Sequence, residues 1–153
     1  MSTATIAQKG TTYDCLRLEN QICFPLYACA KELTRQYRKP LEEIGLTYTQ
    51  YIAMMALWEF GSMTAGELGE KVHLDSGTLT PLLKRLEKQG LLTRTRLESN
   101  ERKLMLSLTK KGEALKDAAA GVPSAMDGCI KLADNEIAQL KTLLDKALRS
   151  MEV

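Results

Sequence analysis

Four cysteines stand in this chain, Cys15, Cys23, Cys29 and Cys129. No two are spaced as CxxC or CxxxC, so the paired-thiolate pattern of a structural zinc site is missing and no metal or other cofactor is expected. A thiol without a metal can still do nucleophilic redox chemistry. Its thiolate attacks a peroxide oxygen and becomes a sulfenic acid. The commoner fate of a cysteine in helical sequence is that of a small buried hydrophobe, so residue type alone leaves both roles open. His73 is the single histidine and has no nucleophile beside it. The glycines are scattered and form no phosphate loop, so hydrolytic or phosphoryl chemistry is not expected.

A second set of chemically capable residues lies in LDSGTLTPLLKRLEKQG, residues 74–90. Leu79, Leu82, Leu83 and Leu86 recur at the spacing of one helical stripe, which predicts a helix with a buried face. Asp75 and Ser76 precede the stripe as N-cap candidates, and Gly90 stands where a left-handed C-terminal cap would fall. Pro81 is read as lying within the first turns, where a missing N–H costs least. The other face carries Ser76, Thr78, Thr80, Lys84, Arg85 and Lys88, donors suited to phosphate oxygens or base edges.

The elements around this stretch must position it. From Asp14 the chain reads as one long helix with Cys23, Leu26, Ala30, Leu33 and Tyr37 on a face and a kink at Pro25. A short piece runs from Pro40 to Gly45, and residues 47–59 form a helix apolar nearly all round, hence buried. Residues 64–72 open on a capping box, Thr64 with Glu67 three residues on. This short helix and the one from Asp75 make a helix-turn-helix. Alternation through Leu92, Arg94, Arg96 and Lys103, Met105, Ser107 about a polar turn predicts a β-hairpin, the wing of a winged helix. A helix from Thr109 to about residue 133, bent around Gly121 to Pro123, and a last helix capped by Asp134 complete the chain. The expected fold is mainly α with a small hairpin wing. Residues 1–12 form a flexible arm, 47–109 the winged-helix DNA-binding region, and 13–46 with 110–153 a helical dimerisation region, all one intertwined unit.

The 153 residues, 44% hydrophobic and 26% charged, suit a globular domain. No apolar run approaches a membrane span and the N-terminus has no signal-peptide core, so a cytoplasmic protein without a membrane partner is expected. Net charge is only +2, yet residues 84–111 hold nine basic groups against three acids, +6, leaving −4 for the rest. Such a basic block is an electrostatic footprint for nucleic acid. The long flanking helices carry more apolar surface than a winged module of roughly 60 residues needs, which points to a homodimer and to a two-fold symmetric, pseudo-palindromic DNA site.

LENQICFPLY (18–27), GLTYTQY (45–51), LDSGTLTPLLKRLE (74–87) and a wing ending NERK (100–103) together resemble the MarR family of bacterial transcription regulators. Within it they are most similar to the peroxide-sensing organic hydroperoxide resistance regulators. The similarity covers residues 14–150. It implies a dimeric winged-helix repressor, not an enzyme, that binds double-stranded DNA and responds to organic hydroperoxides. Carried over by position, Ser76, Thr78, Thr80 and Lys84 are candidate DNA contacts, Arg85, Arg94 and Arg96 add basic groups beside them, and Arg102 is the minor-groove arginine of the wing. Relatives usually have Asp-Glu-Arg at that tip, whereas Asn100 stands first here. An amide can accept a hydrogen bond from a guanidinium but cannot form a charged bidentate pair with it.

The same resemblance places the peroxidatic thiol at Cys23, in QICFPLY, with Tyr37 and Tyr48 hydrogen-bonding its sulfur, and a resolving thiol at Cys129, expected late in the fifth helix. It implies an intersubunit disulfide and release of the DNA. Cys15 and Cys29 are read as structural. In one unbroken helix Cys23 and Tyr37, fourteen residues apart, are separated by roughly 21 Å, so a contact between them must come from a partner subunit. Competing readings are a MarR-type sensor of small aromatic ligands, a thiol peroxidase and a dimeric interaction protein with a degenerate winged helix.

Overall fold

The computed structural model describes residues 13–97 and 100–151, with the side chains of 97 and 100–102 excepted. The expected N-terminal arm, the polar turn of the wing and the side chains of Asn100, Glu101 and Arg102 therefore lie outside the described residues.

The first departure from the sequence reading is at the start. Residues 14–22 are not the opening of a long α-helix but two 3-10 turns, Asp14–Leu16 and Leu18–Asn20. Asn20 Nδ2 donates to the Asp14 carbonyl at 2.8 Å and Gln21 Nε2 to that of Cys15, so side chains satisfy the main chain where a helix would have done so. Helix α1 then runs Cys23–Gln36. Pro25 is its third residue, where its absent N–H has no helical acceptor to miss, and so it starts this helix and does not kink it.

Helix α2 (Arg38–Glu43) leads by a turn into α3 (Tyr48–Phe60), which opens on a capping box between Thr47 and Gln50. A two-residue strand β1 (Met63–Thr64) precedes α4 (Ala65–Val72), whose Thr64–Glu67 capping box forms as the spacing predicts. Helix α5 (Ser76–Lys88) takes Asp75 as its N-cap. Gly90, at φ +72, ends it: the Leu91 N–H reaches the Leu86 carbonyl at 3.0 Å and the Gly90 N–H that of Glu87 at 2.8 Å, both bonds of a Schellman motif. Pro81 is the sixth residue of α5, in its second turn and so within the first turns as expected. Its missing bond would have gone to the carbonyl of Gly77, an exposed residue open to water.

Strands β2 (Leu92–Leu97) and β3 (Asn100–Leu108) pair antiparallel with Arg94 opposite Leu106 and Arg96 opposite Leu104. β1 adds to the other edge of β3, pairing Met63 with Leu106, so the sheet order is β1-β3-β2. The hairpin was legible; the third strand was not. Helix α6 (Lys110–Ala119) is followed by a single turn, α7 (Val122–Ala125), and by α8 (Asp134–Met151). The helix expected through residue 133 stops at Ala119, and Pro123, which cannot donate to the Ala119 carbonyl, lies in the first turn of α7. Asp134 is the first residue of α8, not its cap, and Glu136 folds back to accept the Ala133 N–H at 2.8 Å.

One core serves the whole winged module. Met54 and Leu57 of α3, Leu68 of α4, the four leucines of α5, and Leu92 and Leu106 of the sheet are buried together. Leu41 and Leu46 before α3, and Ala119 and Val122 after the sheet, join the same cluster. Helices α1 and α8, by contrast, bury no residue completely. Phe24, Leu26 and Tyr27 of α1 and Ile137, Leu140, Leu144 and Leu148 of α8 are exposed, the latter on one stripe.

The joint between α5 and α6 is tight. Trp58 Nε1 donates to the Gly112 carbonyl at 2.9 Å, the Thr109 hydroxyl to the Gly90 carbonyl at 2.6 Å, and Lys111 Nζ to the Gln89 carbonyl at 2.8 Å. A Cβ on Gly112 would stand 2.0 Å from the Leu91 carbonyl oxygen, which only main-chain movement can relieve. Gly112→Ala is therefore expected to destabilise the protein in urea by about 2–3 kcal/mol. Gly66→Ala, in the first turn of α4, where the new Cβ would stand 4.0 Å from the Thr64 hydroxyl, should instead stabilise it by about 0.4–1 kcal/mol. Equal effects at the two positions would contradict this packing.

Candidate nucleic-acid interface and thiol site

Helix α5 is held from behind and open in front. Leu79, Leu82, Leu83 and Leu86 pack into the core, while Ser76, Thr78, Thr80, Lys84, Arg85 and Lys88 are exposed. Asp75 fixes its start: Oδ1 accepts the Thr78 N–H at 2.9 Å and Oδ2 the Thr78 hydroxyl at 2.8 Å. These two bonds from Thr78 hold the Asp75 carboxyl below the usual carboxylate range. His73, the C-cap of α4, adopts the left-handed conformation at φ +52 and turns the chain between the two helices.

The basic residues of the sheet divide. Arg96 and Lys103 are exposed, whereas Arg94 is not free for a ligand. Its Nε and Nη2 donate to Glu87 Oε2 at 2.9 and 2.5 Å, and its side chain is only 21% exposed. Foremost through this hydrogen bonding, the Arg94 guanidinium holds the Glu87 carboxyl below its usual range. Sequence reasoning counted Glu87 only as an acid inside a basic block and missed the pair; the seven-residue gap across a helix end carries no periodic signal. Arg102, expected at the wing tip, falls among the side chains outside the description.

The thiol residues lie at two ends of the chain's first helix. Cys23 is the first residue of α1 and exposed, with the unpaired N–H groups of a helix N-terminus around it. Tyr37 caps the other end and is half-buried. Its ring meets that of Tyr48 at 5.0 Å between centroids, tilted 59°, and that of Tyr51 at 6.2 Å. Burial raises the Tyr37 hydroxyl above the ordinary tyrosine range, and neighbouring Tyr48, Tyr51 and Cys129 raise it further. Burial, then Tyr48, does the same to Tyr51. Both hydroxyls therefore stay protonated at neutral pH and can donate a hydrogen bond.

Tyr37 and Tyr48 are thus in ring contact, with Cys129 near enough to act on the Tyr37 hydroxyl, while Cys23 of the same chain is a helix length away. Cys129 is half-buried in the turn between α7 and α8, not in a helix as expected; Gly128 before it, at φ +74, is out of the helical conformation. Tyr51 is the member that sequence reasoning missed. It lies three residues from Tyr48 on one face of α3, a spacing that could have found it. All four cysteines are free thiols, with Cys15 and Cys29 exposed. Among the described residues no three His, Cys, Asp or Glu side chains gather as metal ligands, and no helix is long and apolar enough to cross a membrane.

Comparison with known proteins places these sites in context. The sequence pattern of the MarR family matches residues 46–104, from the turn before α3 into β3. The organic hydroperoxide resistance transcriptional regulator of Bacillus subtilis is 45% identical over 139 residues, which are 91% of this chain and 95% of that protein. Reduced AbfR bound to DNA, a Staphylococcus epidermidis protein, superposes with a TM-score of 0.74 at 34% identity, covering 89% of this chain and 95% of that one. The disulfide-formed AbfR, at the same identity and covering 90% and 91%, gives only 0.59. The fold described here is therefore nearer the reduced, DNA-bound shape than the disulfide-formed one. With these similarities along nearly its whole length, the chain belongs to the MarR family of transcription regulators.

Proposed function

We propose that this protein is a homodimeric, redox-sensing transcriptional repressor that releases its DNA when organic hydroperoxides oxidise Cys23. The observation that carries the reading is the ring contact of Tyr37 with Tyr48, with Cys129 near enough to act on the Tyr37 hydroxyl, a helix length from Cys23 of the same chain. Two tyrosine hydroxyls and a second thiol suit a sulfur anion, but the chain's own Cys23 cannot reach them. A partner whose α1 runs in the opposite direction would bring its Cys23 there. The exposed apolar faces of α1 and α8 supply the surface for such a dimer.

The chemistry follows from that arrangement. The Cys23 thiolate attacks the distal oxygen of a hydroperoxide; the O–O bond breaks, an S–O bond forms, and the alkoxide leaves and takes a proton to become the alcohol. The peroxide is reduced and Cys23 is oxidised to the sulfenic acid. The Cys129 thiol then displaces hydroxide from that sulfur, giving a disulfide and, with the thiol proton, water. Hydroxyl donors at Tyr37 and Tyr48 would stabilise the attacking thiolate and fix its direction. The Cα atoms of a disulfide must lie within ~7 Å, so closing it moves the helices that carry the two winged modules. DNA half-sites one turn apart, ~34 Å, tolerate little change in the spacing of two α5 helices. This chain's poorer superposition on disulfide-formed AbfR than on reduced, DNA-bound AbfR, 0.59 against 0.74, supports such a switch. The exposed donors of α5, with Arg96 and Arg102 of the wing, are the surface read as meeting DNA. A thiol peroxidase would have no use for that basic block.

Two measurements test the mechanism. Cys129→Ser, treated with cumene hydroperoxide, should still lose its Cys23 thiol but form no inter-chain band on a non-reducing gel. A persistent dimer band would remove Cys129 as the partner. Tyr48→Phe should slow the loss of the Cys23 thiol under the same treatment roughly tenfold, the worth of one hydrogen bond to a charged group. An unchanged rate would place the tyrosines outside the reaction.

A further inference from the structure

The strand β2 leaves the core in a graded way. Leu92 is buried at 1% exposure, Arg94 two residues on is partly buried, and Arg96, two further along the same face, is exposed. Arg94 is thus the last residue on that face to touch the body of the domain before the hairpin projects from it. The contact is a specific one: the guanidinium donates twice to Glu87, in the last turn of α5. The rest of its side chain lines a groove with Leu79, Thr80 and Leu83 of α5 and Leu104 of β3.

We propose that Arg94 is a positioning residue for DNA binding: with Glu87 it forms a brace that sets the angle between the reading helix and the wing. The inference rests on the reading of α5 and the wing as the DNA-binding surface. Two guanidinium N–H groups converging on one carboxylate oxygen give direction as well as attraction, which a lysine could not match. The brace acts on a lever. A strand rises ~3.3 Å per residue, so a swing of about 10° at Arg94 moves a point four residues along the hairpin by roughly 2 Å, enough to break a hydrogen bond. The base of the lever is already fixed by the Gly90 turn and by buried Leu91. The Glu87 carboxylate explains itself on the same terms. In a basic block that faces polyanionic DNA an acid repels the ligand, and its retention makes sense if it orders a neighbouring cation.

Charge and geometry predict opposite outcomes for Glu87. If Arg94 contacted phosphate, deleting Glu87 would free it and remove a repulsive charge, so binding would tighten. On the brace reading, Glu87→Ala and Arg94→Ala each weaken binding about fivefold or more, and the double variant is no worse than either single one. The probe is a duplex selected by the wild-type protein from a random pool, with affinity measured by fluorescence anisotropy across a salt series. The slope of log affinity against log salt should be unchanged in Arg94→Ala, since no phosphate contact is lost. Amide hydrogen exchange is read in parallel on Glu87→Gln, whose smaller change protects folding. It should speed exchange at residues 94–96 and 104–106 while leaving the core of α3 unchanged. Tighter binding by Glu87→Ala, or a salt slope lowered by ~0.9 in Arg94→Ala, would make Arg94 a phosphate contact and overturn the proposal. Unchanged exchange in Glu87→Gln would overturn the brace alone. A wild-type protein that selects no duplex would instead overturn the DNA-binding reading beneath it.

Discussion

A straight helix cannot bring its two ends together, and in this protein that constraint governs everything the thiols can do. α1 puts Cys23 at its first residue and Tyr37 at its cap, so the length of one rigid rod separates an exposed thiol from the hydroxyls that could support it. A loop in the same place would allow the two to meet within a chain and would make the site monomeric. The helix forbids it, and any chemistry joining Cys23 to the Tyr37, Tyr48 and Cys129 cluster has to be shared between two copies. On the proposed function, sensing and dimerisation would then be one property. The exposed apolar stripe of α8 and the exposed apolar residues of α1 belong to the same argument, since neither helix buries a residue completely in the single chain.

The winged module obeys a different logic. Its core is closed within the chain by four leucines of α5 against α3, α4 and the sheet. A packed core of this kind resists continuous deformation, so on the proposed function a signal from α1 and α8 would reach the exposed face of α5 as a displacement of whole modules. Ties at the module's margin would transmit such movement. Gln89 Nε2 donates to the Gly45 carbonyl at 3.0 Å, joining the end of α5 to the turn that leads into α3 and its Tyr48.

What could be read from the residues and what could not divides along the range of the interactions. The stripe and N-cap of α5, its end at Gly90 and the capping box of α4 are all set by residues within a turn or two of one another, and periodicity finds them. β1 is two residues long and exists only because β3 offers it an edge, so nothing in its own sequence announces it. Residues 14–22 have the composition of a helix, yet Asn20 and Gln21 satisfy main-chain carbonyls from outside, and that competition is invisible to a hydropathy pattern. Pro25 and Pro123 were both read as bends inside helices. Each instead lies in the first turn of a helix, α1 and α7, where its missing N–H has no acceptor within that helix. Cys129 falls in the turn after α7, near enough to Tyr37 to act on its hydroxyl. Arg94 looked like a DNA contact because charge was counted without its partner; Glu87 supplies what the count left out.

The same pairing logic refines the face of α5. The Thr78 hydroxyl spends its proton on Asp75 Oδ2, so outward it offers lone pairs and a methyl group. Phosphate oxygens are acceptors and cannot bond to such a group, whereas the amino groups of adenine and cytosine and the methyl of thymine can meet it. In a DNA groove Thr78 would therefore face a base edge, and the grip on phosphate would pass to Lys84 and Arg85, two turns further along the exposed side. The Asp75 carboxylate, held ionised by Thr78, repels phosphate from the start of the helix and favours the same division. Reading and gripping would then occupy opposite ends of one helix, and a change in its tilt would disturb the first before the second.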